Sequence, residues 1–111
     1  DVGIGYLTLE DSIAVGIVRG TPDDQDPRAA WVESMWIAPS QRRSGVGRLL
    51  VRQIIAWAQD QGLKSLLLHV TSNNSPAIRF YDSLGFSPTG NTAPYPNDPA
   101  LSEIEMILGL T

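Results

Sequence analysis

Met35-Trp36-Ile37-Ala38-Pro39-Ser40-Gln41-Arg42-Arg43-Ser44-Gly45-Val46-Gly47-Arg48-Leu49-Leu50-Val51 is the stretch around which the chain is organised. An apolar, strand-like run meets a proline, then a polar turn with two arginines, then two glycines one residue apart, and then an apolar-periodic helix. The first N–H groups of a helix lack intrahelical acceptors, and the helix start carries roughly half a positive charge. Gly45 and Gly47 let such donors approach an anion without Cβ interference. Four of the eight cationic side chains, Arg42, Arg43, Arg48 and Arg52, lie in or just after this turn. The cluster reads as an anion site, or more blandly as a solvated basic helix face; the glycines favour the site.

The rest of the composition sets bounds. A chain of 111 residues is expected to be one domain, 1–111. Its net charge of −4 argues against nucleic acid as the main partner. No cysteine is present, so disulfides, thiolate metal sites and a cysteine nucleophile are excluded in it; a reducing, cytoplasmic setting is the compatible expectation. No apolar run approaches the ~18 residues that a membrane helix needs. The sequence opens at Asp1 and enters a strand almost at once, which reads as a domain lacking an N-terminal portion.

Working outward, Ile4–Leu9 and Ile13–Arg19 are β-prone runs joined by Glu10-Asp11-Ser12, a hairpin signal, and Gly16 marks a bulge or a close contact. Thr21-Pro22-Asp23-Asp24-Gln25-Asp26-Pro27 reads as a loop, either a lid over a cationic substrate or a solvated turn. Ala30–Ile37 is apolar in both alternating sets, so a central strand covered on both faces is expected. Glu33 is then a buried carboxylate of raised pKa, in the range of a general base, unless it sits at a wet strand end or is paired with an arginine. The periodicity of Val46, Leu49, Leu50, Ile54, Trp57 and Ala58 predicts a helix to about Gln61, and Gly62 stops it. Ser65–Val70 is a further buried strand, so strand, helix and strand form a right-handed crossover with the two strands parallel.

His69, the only histidine, sits at the end of that strand, where ligands bind in open α/β sheets. A hydrogen-bonded structural role is the ordinary alternative. Asn74 or Ser75 caps the helix Pro76–Leu84, in which Ala77, Phe80, Tyr81 and Leu84 share a stripe. Tyr81 therefore points inward, either as a core tyrosine with a tied hydroxyl or as a hydroxyl held at a reaction centre. Strands are expected at Phe86–Asn91 and Glu103–Leu108. The proline-rich segment Ala93–Pro99 between them reads as the lining of a specificity pocket, a rigid surface connection or a dimer contact. A P-loop is excluded because Arg48-Leu49, not Lys-Ser/Thr, follows the second glycine. A dinucleotide-binding turn is excluded by Leu50 at the third small position.

Two patterns together are specific. Arg42-Arg43-Ser44-Gly45-Val46-Gly47 after an apolar strand, and Asn74-Ser75-Pro76-Ala77 followed by Phe80-Tyr81-Asp82-Ser83-Leu84-Gly85-Phe86, are both similar to signatures of the GNAT superfamily of N-acetyltransferases. The chain resembles this family from about Ile4 onward. The resemblance implies an α/β fold with a central twisted mixed sheet, flanking helices and a splay between the two parallel central strands. It implies acetyl-CoA as co-substrate, no metal, and an amine acceptor attacked directly in a ternary complex. Cofactor contacts are implied for Met35, Trp36 and Ile37 along the pantetheine arm. They are implied for Gln41, Arg42, Arg43, Ser44, Gly45, Val46, Gly47 and Arg48 at the pyrophosphate, and for Asn74 and Tyr81. Tyr81 corresponds to the family's general acid, which protonates the departing thiolate; Glu33, His69 or a relayed water is the base. A small-molecule amine, a peptide N-terminus or a lysine would serve as acceptor, and the acidic charge mildly favours a cationic one. The competing expectation is an acyl-CoA-binding module of the same fold that senses or docks without catalysis.

Overall fold

In the computed structural model, which describes residues 3–110, the elements run β1 (Ile4–Glu10), β2 (Ile13–Pro22), β3 (Ala29–Ile37), a 3-10 turn (Pro39–Gln41), α1 (Val46–Asp60), β4 (Ser65–Thr71), α2 (Ser75–Ser83), β5 (Ser87–Pro94) and β6 (Ser102–Gly109). The strands form a six-stranded mixed sheet in the order β1-β2-β3-β4-β6-β5. By compactness the described residues divide into a unit of residues 3–66 with Leu110, and a unit of Leu67–Gly109.

The first unit is built on the β1–β2 hairpin. Its connection is the two-residue Asp11-Ser12 turn, in which both residues have positive φ (52° and 68°), the twist-matched type I′ geometry. β2 then pairs antiparallel with β3. Helix α1 packs on the face that carries Gly16, Val18 and Gly20. Val46 and Leu50 lie directly over Gly16, and the Trp57 ring lies over Gly20. Both alternatives expected at Gly16 are met: the close contact is with the helix, and a bulge lies next to it, since Thr8 pairs with Gly16 and Leu9 with Ala14, leaving Val15 between them. Val51, Ile54 and Ala58 on the same helix stripe are fully buried. The helix closes where Gly62 leads one to expect it, with Leu63 N–H returning to the Ala58 carbonyl at 3.0 Å. Leu7, Leu9 and Trp36 remain exposed.

Two expectations change here. The segment from Thr21 is not all loop, because Thr21 and Pro22 continue β2 against Trp31 and Ala30. The remainder is a fastened turn. Asp23 accepts the Trp31 indole N–H at 2.6 Å and the backbone N–H groups of Asp26 at 2.8 Å and Gln25 at 3.0 Å. These bonds, the indole first, hold the Asp23 carboxyl below its ordinary value. Second, β3 is not covered on both faces. Its first half is buried at Ala29, Ala30 and Val32, but Glu33, Ser34 and Trp36 are exposed.

The second unit holds most of β4, then α2 and the β5–β6 hairpin. Leu68, Val70, Tyr81, Phe86 and Met106 are its buried apolar side chains. Helix α2 is capped by Asn74, whose side-chain oxygen accepts Ala77 N–H at 3.2 Å, with a proline in the first turn. β5 extends to Pro94, further than its composition suggests, because antiparallel pairing with β6 overrides proline's weak strand preference at a sheet edge. The pairing skips Thr89-Gly90-Asn91 opposite Glu105 alone. The Glu105 carboxylate fastens this bulge, accepting the Thr89 hydroxyl at 2.8 Å and the Asn91 amide at 3.0 Å.

Candidate active site

The anion corner is built by backbone conformation. Ala38 N–H still bonds the Val15 carbonyl at 2.8 Å, so β3 is held to β2 up to the turn. Pro39 opens one turn of 3-10 helix, closed by Gln41 N–H to the Ala38 carbonyl at 2.8 Å. Ser44 ties back to the Gln41 carbonyl through its N–H, at 3.2 Å, and through its hydroxyl. Arg43 (φ 69°) and Gly45 (φ 91°) are left-handed on either side of Ser44. Alternation of this kind turns successive N–H groups to one side and makes an anion-binding concavity. Gly45 is required by its φ, because nothing lies within 4 Å of the position its Cβ would take. The first intrahelical bond runs from Leu49 N–H to the Gly45 carbonyl at 3.0 Å. The N–H groups that open α1 before it therefore have no carbonyl a turn behind them.

Side chains around the corner divide by task. Gln41 donates to the Glu10 carboxylate at 2.9 Å and so ties the hairpin to the turn. Arg42 folds back, its Nε donating to the Ile37 carbonyl at 3.3 Å. Arg43 is exposed, and its guanidinium makes no ion pair or hydrogen bond with the described residues. Arg43 therefore has all its guanidinium donors open to an anion, and Arg42 keeps its charge and its terminal N–H groups beside it, together with the helix N-terminus.

Just before the corner, β3 is irregular. Ile17 faces Trp36 and Arg19 faces Glu33, so Val18 alone stands opposite Ser34 and Met35. Ser34 has φ 56°, and the bulge leaves backbone donors outside the ladder. Glu33 stands beside it, exposed and in register with Arg19. The expected burial of Glu33 is overturned: its side chain is exposed, and although Arg19 stands opposite in the ladder, no ion pair between them is found among the described residues. Nothing in the local sequence marks this bulge, because the positive φ falls on a serine.

In the second unit Tyr81 does point inward. It is only 9% exposed and packs edge-on against Phe80 (5.2 Å between centroids) and Phe86 (5.8 Å). Its hydroxyl makes no hydrogen bond among the described residues and is not one of their fully buried unpartnered atoms, so the ring is buried while the hydroxyl is neither tied nor sealed off. Burial pushes its pKa up from 10.0, so the phenol, protonated at neutral pH as any tyrosine is, holds its proton to higher pH than usual. On the same helix, the Asn74 oxygen is committed to the cap, which leaves its amide NH2 to donate. His69 lies on β4 with its Nδ1 3.4 Å from Oε2 of Glu103 on β6. Sequence reasoning missed Glu103, which only the pairing of β4 with β6 brings to the histidine. No group of three His, Asp or Glu among the described residues could hold a metal ion.

Fold and corner together define an α/β protein in which the helix after a central strand opens on a glycine turn shaped for an anion. Its family follows from comparison: the model of the Acetyltransferase (GNAT) family matches residues 3–86, and the chain belongs to that family. It is 39% identical to the streptothricin acetyltransferase of Streptomyces lavendulae over 56 residues, 50% of this chain and 30% of that protein. It is 31% identical to the ribosomal protein bS18 alanine N-acetyltransferase of Salmonella typhimurium over 81 residues, 73% of this chain and 52% of that one. Among solved structures, a candidate streptothricin acetyltransferase of Bacillus anthracis in complex with acetyl coenzyme A superposes with a TM-score of 0.87 at 22% identity, covering 100% of this chain and 64% of the other. The chain thus spans between about a third and two thirds of the length of these relatives.

Proposed function

We propose that this chain transfers the acetyl group of acetyl-CoA to a primary amine by direct attack. The pyrophosphate lies on the backbone N–H groups of Arg43 to Arg48, with the Arg43 guanidinium adding charge, and the pantetheine arm runs along Met35–Ile37. The amine nitrogen bonds to the thioester carbonyl carbon, the carbon–sulfur bond breaks, and Tyr81 gives its proton to the departing thiolate. The amine's proton passes to Glu33, His69 or a water that one of them holds. With no cysteine in the chain, no acyl-cysteine forms on it. The backbone donors freed by the bulge at Ser34–Met35 are of the kind that stabilises a developing oxyanion.

One observation carries the catalytic reading: Tyr81, within the segment that the family model matches, is only 9% exposed and its hydroxyl bonds to no described group, so it is left to donate to a bound molecule. The relatives named above differ in acceptor by their names, streptothricin in one and an alanine of ribosomal protein bS18 in the other, which supports acetyl transfer and leaves the acceptor of this chain to be found by assay.

The test is CoA release with a panel of amines that includes a streptothricin, a small polyamine and a peptide with N-terminal alanine, beside calorimetric titration of CoA. At least one amine is expected to turn over, and Tyr81→Phe to lower kcat on the order of 100-fold with CoA affinity unchanged. Binding of CoA without transfer to any amine would favour the non-catalytic module. No binding of CoA would sink the proposal.

A further inference from the structure

We infer that Glu103 is the positioning residue for His69, and that together they form the carboxylate–imidazole pair that takes the proton from the acceptor amine. This rests on the acetyl-transfer reading above and assigns the base within it.

Strand β4 alternates, with Leu66, Leu68 and Val70 buried and His69 on the opposite, open side. Strand β6 carries two acids two residues apart, Glu103 and Glu105, and so on one face. Their surroundings separate them. Glu105 holds the β5 bulge through Thr89 and Asn91. Glu103 has no such duty, and its one described side-chain partner is Nδ1 of His69 at 3.4 Å. Its side chain is 26% exposed and that of His69 38%, so the pair is partly shielded and yet reachable. A separation of 3.4 Å is loose for a hydrogen bond and within ion-pair reach, as is common for catalytic pairs before substrate tightens them.

The chemistry follows from the geometry at Nδ1. A carboxylate there favours the tautomer with hydrogen on Nδ1, which makes the Nε2 lone pair the basic site. It also stabilises the imidazolium that forms when Nε2 accepts a proton. The balance closes: one proton leaves the amine nitrogen for His69, one leaves the Tyr81 hydroxyl for the CoA sulfur, and exchange with water restores both groups.

A kinetic double-mutant cycle tests the pair, with Glu103→Gln, His69→Gln, the double variant and Glu105→Gln compared by kcat and KM, and with thermal melts to check folding. His69→Gln is expected to lower kcat on the order of 100-fold. Glu103→Gln should lower kcat about 10-fold or more while KM for acetyl-CoA stays within about twofold. The double variant should be no slower than His69→Gln alone, because a positioning residue has nothing left to position. Glu105→Gln should lower the melting temperature and leave kcat unchanged. Additive losses, a fully active His69→Gln or Glu103→Gln, or an equal loss from Glu105→Gln would overturn the pair. If Tyr81→Phe is slow while His69→Gln is as fast as the parent, the pair fails and acetyl transfer stands. If the parent acetylates no amine, both fail together.

Discussion

Replacing Gly16 by alanine probes the contact that sets the position of the anion corner. A Cβ at residue 16 would lie 2.8 Å from Val46 Cγ1, 2.9 Å from Leu50 Cδ1 and 3.3 Å from Ile37 Cδ1. Ordinary carbon contacts fall at ~3.5–4.0 Å, so two of these are short by roughly 0.6 Å or more. Neither neighbour yields easily. Leu50 is 2% exposed, and Val46 is β-branched, with a single favoured rotamer on a helix. Relief therefore comes from moving the first turn of α1 away from β2. Overpacking of this kind costs about 1–3 kcal/mol, and alanine recovers about 0.5–1 kcal/mol of the backbone entropy that glycine loses in a strand. The net expectation is a loss of about 1–2 kcal/mol, seen in urea unfolding as a lower midpoint at unchanged slope. Because Val46 directly follows Gly45, the displacement should also weaken CoA binding several-fold in calorimetric titration, in line with the ~1.4 kcal/mol that corresponds to tenfold. An alanine variant with the parent's midpoint and the parent's CoA affinity would refute both the tight contact and its link to the corner.

Three further outcomes follow from the same structure. Tyr81→Phe should leave stability at neutral pH unchanged or slightly raised, since the hydroxyl has no partner to lose; the stability that the buried neutral phenol contributes is intact below its unfolded pKa of 10.0 and is lost as pH rises through the higher folded value, so thermal melts in alkaline buffer should show a decline that the Phe variant lacks. Asp23 runs the other way: its depressed pKa makes its contribution present above the ordinary 3.8 and lost as pH falls through the folded value, so acid titration of tryptophan fluorescence should release the Trp31 indole, and Asp23→Ala should show the released signal already at neutral pH. Thr21 carries a buried hydroxyl oxygen without a hydrogen-bond partner among the described residues, so the near-isosteric Thr21→Val should raise stability by about 1 kcal/mol in urea unfolding; a loss of that size would mean that the hydroxyl is satisfied.

Local signals account for what could be read before the structure. The start of α1 near Val46, a cap at Asn74 or Ser75, a tight connection within Glu10-Asp11-Ser12 and the inward face of Tyr81 each depend on residues within one or two turns of the chain; the structure then chose Asn74 and the Asp11-Ser12 pair. Capping, periodicity and glycine chemistry act at that range. Glu33 shows where such reasoning stops. Its neighbours are apolar, so the sequence implied burial, but burial depends on what covers a strand face, and a bulge at Ser34 re-aims the strand without any glycine to announce it. The length of β5 was underestimated for a related reason, since partner strand β6 supplies the hydrogen bonds that its own prolines argue against.

The sequence by itself determined the glycine turn, the helix that follows it and the family, because these rest on backbone conformations that only certain residues permit. Tertiary structure decided which charged groups are available. Arg42 and Gln41 make structural bonds through their side chains, whereas the Arg43 guanidinium makes none among the described residues. Glu105 is fixed to its bulge, and Glu103 is turned to His69. Side chains of the same type at neighbouring positions thus acquire different tasks. Partners and exposure are set by strand pairing between residues far apart in the chain, which no local pattern encodes.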